Sequence, residues 1–301
     1  MRVIELIEAS ASPRRSLAIG TFDGVHVGHR EVIRSAATVV TFEPHPGSVI
    51  SPARAPLLLT PLAVKADLIA SLGVDELIVV RFDAAFASLE AQQFIDEVIV
   101  LRLAAESVSV GENFRFGAGA RGDAALLAAD ARFATRVVPL CEVDGEVVSS
   151  SRIRALIAAG EVSRAAVLLG DPFELRGTVV EGDRRGRTLG FPTANLRAPQ
   201  GLCYPGHGVY ACLANGRPAA VNIGVRPTFG AGREELIEAF LIEFDGDLYG
   251  TELRLHFLER LRGERRFASA NELVEAMNAD VERASAICAS ATVRRRDDPH
   301  E

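Results

Sequence analysis

The hydrophobic pattern of this chain changes period once, near Gly170-Asp171-Pro172, and that change limits the fold more than any other feature of its 301 residues. Before it, short apolar runs alternate with helical patterns. Strands are predicted over 16–19, 38–42, 77–82, 107–110 and 136–140, with helices over 29–37, 61–72, 90–103 and 123–131 between them. This rhythm predicts an α/β domain: a parallel sheet with helices on both faces, and ligands beyond the carboxyl ends of its strands. Two short helices, 151–159 and 162–169, follow, with Gly160 as a stop for the first. After the change, strand-like runs come without helices between them, over 174–181, 208–214, 218–224, 236–244 and 252–259. Such a series predicts a small antiparallel β-barrel, and Asn215-Gly216 is a two-residue hairpin signal inside it. Ser269 and Glu272 form a capping box for a terminal helix whose Leu273, Met277, Val281, Ala284 and Ile287 share one face. The expected organisation is a domain over 1–169, a second over 170–288 and a disordered charged tail over 289–301.

The formal net charge of −7 argues against general nucleic-acid or membrane-surface binding, so an anionic ligand has to be met by local sites. Lys65 is the only lysine among 33 basic side chains, which reads as a compositional bias towards arginine. The four cysteines have no C-x-x-C spacing, suggesting neither zinc nor a disulfide framework and fitting a reducing cytoplasm. No apolar run approaches the ~20 residues of a membrane helix, and the N-terminal stretch lacks a signal core. A soluble, cytoplasmic protein is expected.

The most informative stretch is Gly20-Thr-Phe-Asp-Gly-Val-His-Val-Gly-His29, between a predicted strand and a predicted helix. Its glycines permit a tight turn and close backbone approach to a ligand. His26 and His29 are three residues apart, so one helical turn brings both imidazoles towards one point, where they can donate to phosphate oxygens. The string is neither a P-loop nor a G-x-G-x-x-G fingerprint. In the second half, the loop from Gly182 to Asn195 carries Gly182, Gly186 and Gly190. It ends with Thr193 and Asn195 two residues apart, pointing to one side of an extended chain as a metal–phosphate site requires. Glu238 lies in a predicted strand between apolar Ile237 and Ala239, where a carboxylate is either an edge charge or a base.

Taken together, these blocks resemble the prokaryotic bifunctional riboflavin kinase/FAD synthetases. So do Thr41-Phe-Glu-Pro-His-Pro46, Gly111-Glu-Asn-Phe-Arg-Phe-Gly117, Ser149-Ser-Ser-Arg-Ile-Arg154, Pro192-Thr-Ala-Asn195 and Val221-Asn-Ile-Gly-Val-Arg-Pro-Thr228. The resemblance runs from about Ser16 to about Ala284. It implies a Rossmann-like nucleotidyltransferase domain that adenylylates FMN to FAD with release of pyrophosphate, and a barrel that phosphorylates riboflavin to FMN. ATP would be the co-substrate and Mg²⁺ the metal; riboflavin, FMN and FAD would be the flavin ligands. No nucleic-acid or membrane partner is expected.

By position, the resemblance implies that His26 and His29 contact the ATP phosphates and that Arg152 clamps phosphate. The nucleotide-binding set is then Gly20, Phe22, Asp23, Gly24 and Asn113 in the first half, and Gly182, Arg187, Thr193 and Asn195 in the second. Thr193 and Asn195 would also hold the metal. Glu238 would be the base that activates the riboflavin hydroxyl, and residues 262–267 would cover the flavin. His45, between two prolines, would shape a rigid loop. The crossover between the Gly20 and Thr41 blocks is shorter than relatives usually have, implying a helix of two or three turns. Three alternatives stay open: an H-x-G-H transferase acting on another phosphate ester, an active kinase with an impaired adenylyltransferase domain, and a non-catalytic flavin-binding module.

Overall fold

The computed structural model describes residues 1–11, 14–182, 191–227 and 233–296, with backbone alone at 226–227, 233–235 and 292–296. The chain forms two compact units, residues 1–150 and 151–301.

The first unit is built on β1 (Arg2–Glu5), β2 (Arg15–Ile19), β3 (Thr38–Glu43), β4 (Glu76–Arg81) and β5 (Ala105–Gly111). A hairpin of β6 (Arg115–Phe116) and β7 (Gly122–Asp123) follows, then β8 (Ala134–Val138) and a second hairpin of β9 (Glu142–Val143) and β10 (Glu146–Val147). Six strands make one sheet in the order β1-β4-β3-β2-β5-β8, every pairing parallel. Its helices are α1 (Val27–Ile33), α2 (Pro46–Ile50), α3 (Leu62–Ala70), α4 (Ala84–Ala87), α5 (Ala91–Gln93) and α6 (Ala124–Ala128). Two apolar layers sandwich the sheet. One contains Leu17, Ile19, Val40, Ile78, Val108 and Phe94, and the other Ala18, Val39, Leu77, Val32 and Ile69. Successive residues of β2, β3 and β4 enter opposite layers, as the two-residue strand period demands. The expected α/β architecture is therefore what forms.

Two local features depart from the sequence reading and one agrees with it. The edge strand β1 has no counterpart in the sequence reading, because its burial is almost entirely exposed and it shows no alternation. The helix expected over 90–103 is wound more widely over Phe94–Arg102, and Leu103 N–H closes on the Val98 carbonyl five residues back, at 2.9 Å. α1 is seven residues long, about two turns, in line with the short crossover.

In the second unit α7 (Ser150–Ala159) and α8 (Val162–Leu169) precede a closed barrel. Its strands are β11 (Phe173–Val180), β12 (Ala194–Arg197), β13 (Gly208–Ala214), β14 (Arg217–Pro227), β15 (Arg233–Leu241) and β16 (Glu252–Arg262). They close in the order β11-β12-β15-β14-β13-β16, all antiparallel, with β16 returning to β11. The compact unit thus begins at α7, ahead of the change of period at 170; α8 is tied to β16 by Ser163 Oγ donating to the Leu258 carbonyl at 2.8 Å. Phe173, Tyr210 and Phe257 pack ring on ring, Tyr210 and Phe257 fully buried. Asn215 and Gly216 join β13 to β14, both with positive φ (46° and 79°), the pair a twisted two-residue hairpin needs.

β13 is buried on both sides because α9 (Ala270–Arg296) lies over Val209, Ala211 and Ala220 with Val281, Ala284 and Ile287. Arg262 at the end of β16 holds the buried Asp280 of α9 (Nε–Oδ2 2.9 Å). At the helix start Ser269 Oγ accepts from Glu272 N–H at 3.2 Å, while the Glu272 carboxylate reaches Ala268 N–H at 2.9 Å, one residue before the expected partner. The tail expected from 289 is also corrected: α9 continues to Arg296, and residues 297–301 lie outside the described residues.

On the barrel's outer face Glu174 stands opposite His256 in register and takes hydrogen bonds from His256 and from Arg176. Burial by itself would raise the Glu174 pKa. The two donors more than offset it and bring it down to about 2. A carboxyl depressed in the folded state contributes stability above its unfolded pKa, and that stability is lost as pH falls through the folded value. Glu174→Gln should therefore be less stable than the parent at pH 7. The difference, read from urea unfolding of the barrel, should shrink steadily as pH is lowered from about 4.5 towards about 2. A difference independent of pH would contradict this account.

Candidate functional site

In the first unit the residues singled out by sequence gather where β2 and β5 end. The chain leaves β2 at Ile19, turns through residues 20–25 and enters α1 at Val27. The turn holds positive φ at Phe22 (47°), Gly24 (89°) and Val25 (42°). For a β-branched residue such as Val25 that region is a true outlier, so surrounding contacts must hold the turn. The main one is the Asp23 carboxylate. It is 1% exposed and accepts Leu59 N–H (3.0 Å), Thr60 N–H (3.0 Å) and the Thr60 hydroxyl (3.3 Å). The Thr60 hydroxyl oxygen in turn accepts Gly24 N–H at 2.9 Å, and the Asp23 carbonyl accepts Ser150 Oγ at 2.9 Å. The carboxylate expected beside a phosphate also staples two loops together.

Gly20 has room for nothing larger: a Cβ there would come within 2.9 Å of the Phe22 ring. That ring meets His29 edge to face, with centroids 5.3 Å apart. His29 in turn stacks on His26 at 3.5 Å with the planes 16° apart. His26 is the N-cap of α1, and its Nδ1 accepts His29 N–H at 3.2 Å. Because Nδ1 accepts here, a neutral His26 carries its proton on Nε2. The two imidazoles thus stand together as one stacked pair, as their spacing predicts. α1 is only two turns long, so its dipole is small.

Asn113 follows β5, next to β2 in the sheet; its Oδ1 folds back to within 3.2 Å of where a Gly111 Cβ would be, and the residue is exposed. His45 caps α2 by accepting Gly47 N–H at 3.0 Å, the rigid-loop role expected of it. Arg152 is placed on the first turn of α7, in the second unit.

In the second unit three polar residues line up across three adjacent strands. Asn195 of β12 is opposite Glu238 of β15, which is opposite Asn222 of β14. Their chain neighbours Leu196, Ile237, Ala239, Val221 and Ile223 are buried, so the polar row alternates onto the other face of the barrel wall. Asn222 Nδ2 lies 3.5 Å from Glu238 Oε2. Sequence reasoning missed Asn222, treating its block as loop architecture. The only available signal was its alternation with Val221 and Ile223, and its pairing with Glu238 is set by register between strands.

Thr193 lies directly before β12. The Asn195 amide sits so close over Gly182 that a Cβ there would collide with it at 2.1 Å. A Cβ at residue 182 would require the Asn195 amide to move, so the start of the glycine loop packs against the strand that carries Asn195. Arg187, expected in that loop, lies outside the described residues. Beside the row, Phe191 and Phe240 meet in a T-shaped contact at 5.3 Å. In the segment expected to cover a flavin, the Phe267 ring is contacted by Arg265 at 4.5 Å and Arg262 at 5.4 Å.

Comparison with known proteins places names on both halves. The FAD synthetase family model matches residues 8–152, and the riboflavin kinase family model matches residues 169–288. A Bacillus subtilis protein called bifunctional riboflavin kinase/FMN adenylyltransferase is 38% identical over 288 residues, covering 89% of this chain and 90% of that protein. An Escherichia coli K12 protein of the same name is 40% identical over 276 residues, covering 85% and 87%. Among solved structures, one titled as a macrolide-efflux protein from Streptococcus pneumoniae has a TM-score of 0.86 at 31% identity, over 95% of this chain and 99% of that one. Among the described residues, no helix of this chain is long and apolar enough to cross a membrane.

The Asp23 staple yields a direct expectation. Asp23→Ala leaves two buried N–H groups and a hydroxyl without their acceptor and should cost about 3 kcal/mol in the first unit. Hydrogen exchange should show lost protection over residues 20–29 and 59–65 while the barrel strands keep theirs. Unchanged exchange over 20–29 would mean that the turn is held by something else.

Proposed function

The chain belongs to the family of bifunctional riboflavin kinase/FMN adenylyltransferases, and we propose that the His26–His29 pair serves one of its two reactions and the Asn195–Glu238 row the other. The protein phosphorylates riboflavin to FMN in its C-terminal part and adenylylates FMN to FAD in its N-terminal part, with ATP as co-substrate of both. The observation that supports this assignment of residues is that each unit carries its own prepared polar site: a stacked donor pair in one, an oxygen-rich strand row with a carboxylate in the other.

For phosphorylation, the riboflavin 5′-hydroxyl attacks the γ-phosphorus of ATP and ADP departs. Glu238 takes the hydroxyl proton as the new P–O bond forms. Asn222 Nδ2, 3.5 Å from Glu238 Oε2, is placed to orient the carboxylate. Thr193 and Asn195 present neutral oxygens, hard donors suited to a magnesium ion that arrives on the triphosphate. Bound there, Mg²⁺ would neutralise charge on the phosphates. Gly182, with Arg187 beyond it, would enclose the phosphates.

For adenylylation, a phosphate oxygen of FMN attacks the α-phosphorus of ATP and pyrophosphate leaves. His26 and His29 donate to the phosphate oxygens as negative charge builds up, and Gly20, Phe22 and Gly24 shape the floor on which the nucleotide lies. Asn113 reaches the nucleotide from the neighbouring strand end, and the planar fork of Arg152, the last residue matched by the FAD synthetase family model, suits a phosphate. Positioning and charge stabilisation carry this step; no covalent enzyme intermediate is required. The cysteines, with no C-x-x-C spacing among them, support a reducing, cytoplasmic setting for this work.

Flavin chromatography after incubation with riboflavin and MgATP tests the assignment. The parent protein should yield FMN and FAD. Glu238→Gln should lower riboflavin phosphorylation by about 10²- to 10⁴-fold and leave conversion of added FMN to FAD intact. His29→Ala should lower FAD formation about 10²-fold or more and leave FMN formation intact. Loss of both activities in either variant would refute the division of residues.

A further inference from the structure

Lys65 is the only lysine in a chain with 33 basic side chains, and it is buried (4% exposed). Every other basic position accepts arginine. At residue 65 the side chain meets a hydroxyl: Nζ donates to Thr41 Oγ1 at 3.3 Å. A guanidinium there would bring five N–H donors in a rigid fork, while an ammonium is a compact point charge. Thr41 is fully buried in β3, and its own hydroxyl donates to the Thr21 carbonyl at 3.1 Å. Thr21 directly precedes Phe22, whose ring edge braces His29.

Burial lowers the pKa of Lys65 from its ordinary range, and the carboxylates of Asp23 and Glu43 pull it back up. A buried cation contributes little to stability, and an apolar side chain of similar size is often tolerated as well or better. Stability alone therefore gives no reason for the single lysine of this chain to be kept here.

We infer that Lys65 is a positioning residue for adenylyl transfer, acting through Thr41 on the turn that carries Phe22 and sets His29. An ammonium has donors and no acceptor. Its hydrogen bond to Thr41 leaves that hydroxyl one direction in which to donate, towards the Thr21 carbonyl. The relay from Lys65 to Thr41 to Thr21 pins the turn on its β3 side, while Asp23 pins it to Leu59 and Thr60. Without the ammonium the hydroxyl can rotate, the Thr21 carbonyl loses its donor, and the Phe22–His29 contact loosens.

This inference rests on the adenylylation site placed above. Its test uses the full-length protein and both activities. Lys65→Met and Thr41→Val should each lower kcat for FMN adenylylation by about 10- to 100-fold, with KM for ATP changed little, since small misplacements act on the transition state. Thr41→Ser should recover the parental kcat. The double variant should be no slower than either single one, because both break the same relay. Riboflavin phosphorylation by the same samples should stay at the parental rate.

As the sole lysine, Lys65 also gives one side-chain resonance in a protein labelled at lysine Nζ, and Thr41→Val should shift it. Parental adenylylation kcat in Thr41→Val, or losses that multiply in the double variant, would overturn the inference, even if Lys65→Met fails to fold. A parent protein that makes no FAD would instead overturn the placement of the adenylylation site.

Discussion

The Asp23 carboxylate holds the first unit's turn in a shape its own residues resist. Phe22 and Val25 both sit at positive φ, each at a cost of about 1–3 kcal/mol. Three hydrogen bonds from residues 59 and 60 to one buried carboxylate offset that strain. The consequences follow in order. With the turn fixed, Phe22 stands against His29, His29 stacks on His26, and His26 is held by its Nδ1. A donor pair arranged before substrate arrives has no reorganisation left to undergo when charge develops on a phosphate.

The barrel reaches a comparable result by other means. Its polar row is not strained; it is a product of register. Because side chains alternate along each strand, fixing the pairing of β12, β15 and β14 places Asn195, Glu238 and Asn222 side by side, and a one-residue slip would send all three to the apolar side. The packed rings of Phe173, Tyr210 and Phe257 and the cover supplied by α9 keep the register from slipping. Here the fold holds the chemistry through its core, whereas in the first unit a single staple holds it.

Much of this was legible in the sequence where the signal is local. The Gly20–His29 string marks a strand-to-helix turn with two histidines on one side, and the structure stacks those rings. Asn215-Gly216 marks its hairpin, and the alternation around Glu238 marks its strand. Interactions that join distant segments were not legible. Asp23 reads as a phosphate neighbour because its partners, Leu59 and Thr60, lie 36 and 37 residues away and offer backbone groups, which leave no trace in sequence. Asn222 reads as loop because its partner is chosen by strand register. Lys65 reads as compositional residue until its burial is seen. β1 escapes because an exposed edge strand has no hydrophobic period to detect. The wide winding of Phe94–Arg102 escapes because its apolar spacing is close to that of an ordinary helix.

The central claim, that two separate sites act on different phosphorus atoms of ATP, is tested most directly by the fate of labelled phosphate. Riboflavin should be incubated with the full-length protein and ATP labelled either at the γ- or at the α-phosphorus, and the flavins separated. Label from the γ position should appear in FMN and in FAD, and label from the α position in FAD alone. Label from the α position in FMN, or FMN formed without γ label, would contradict the account.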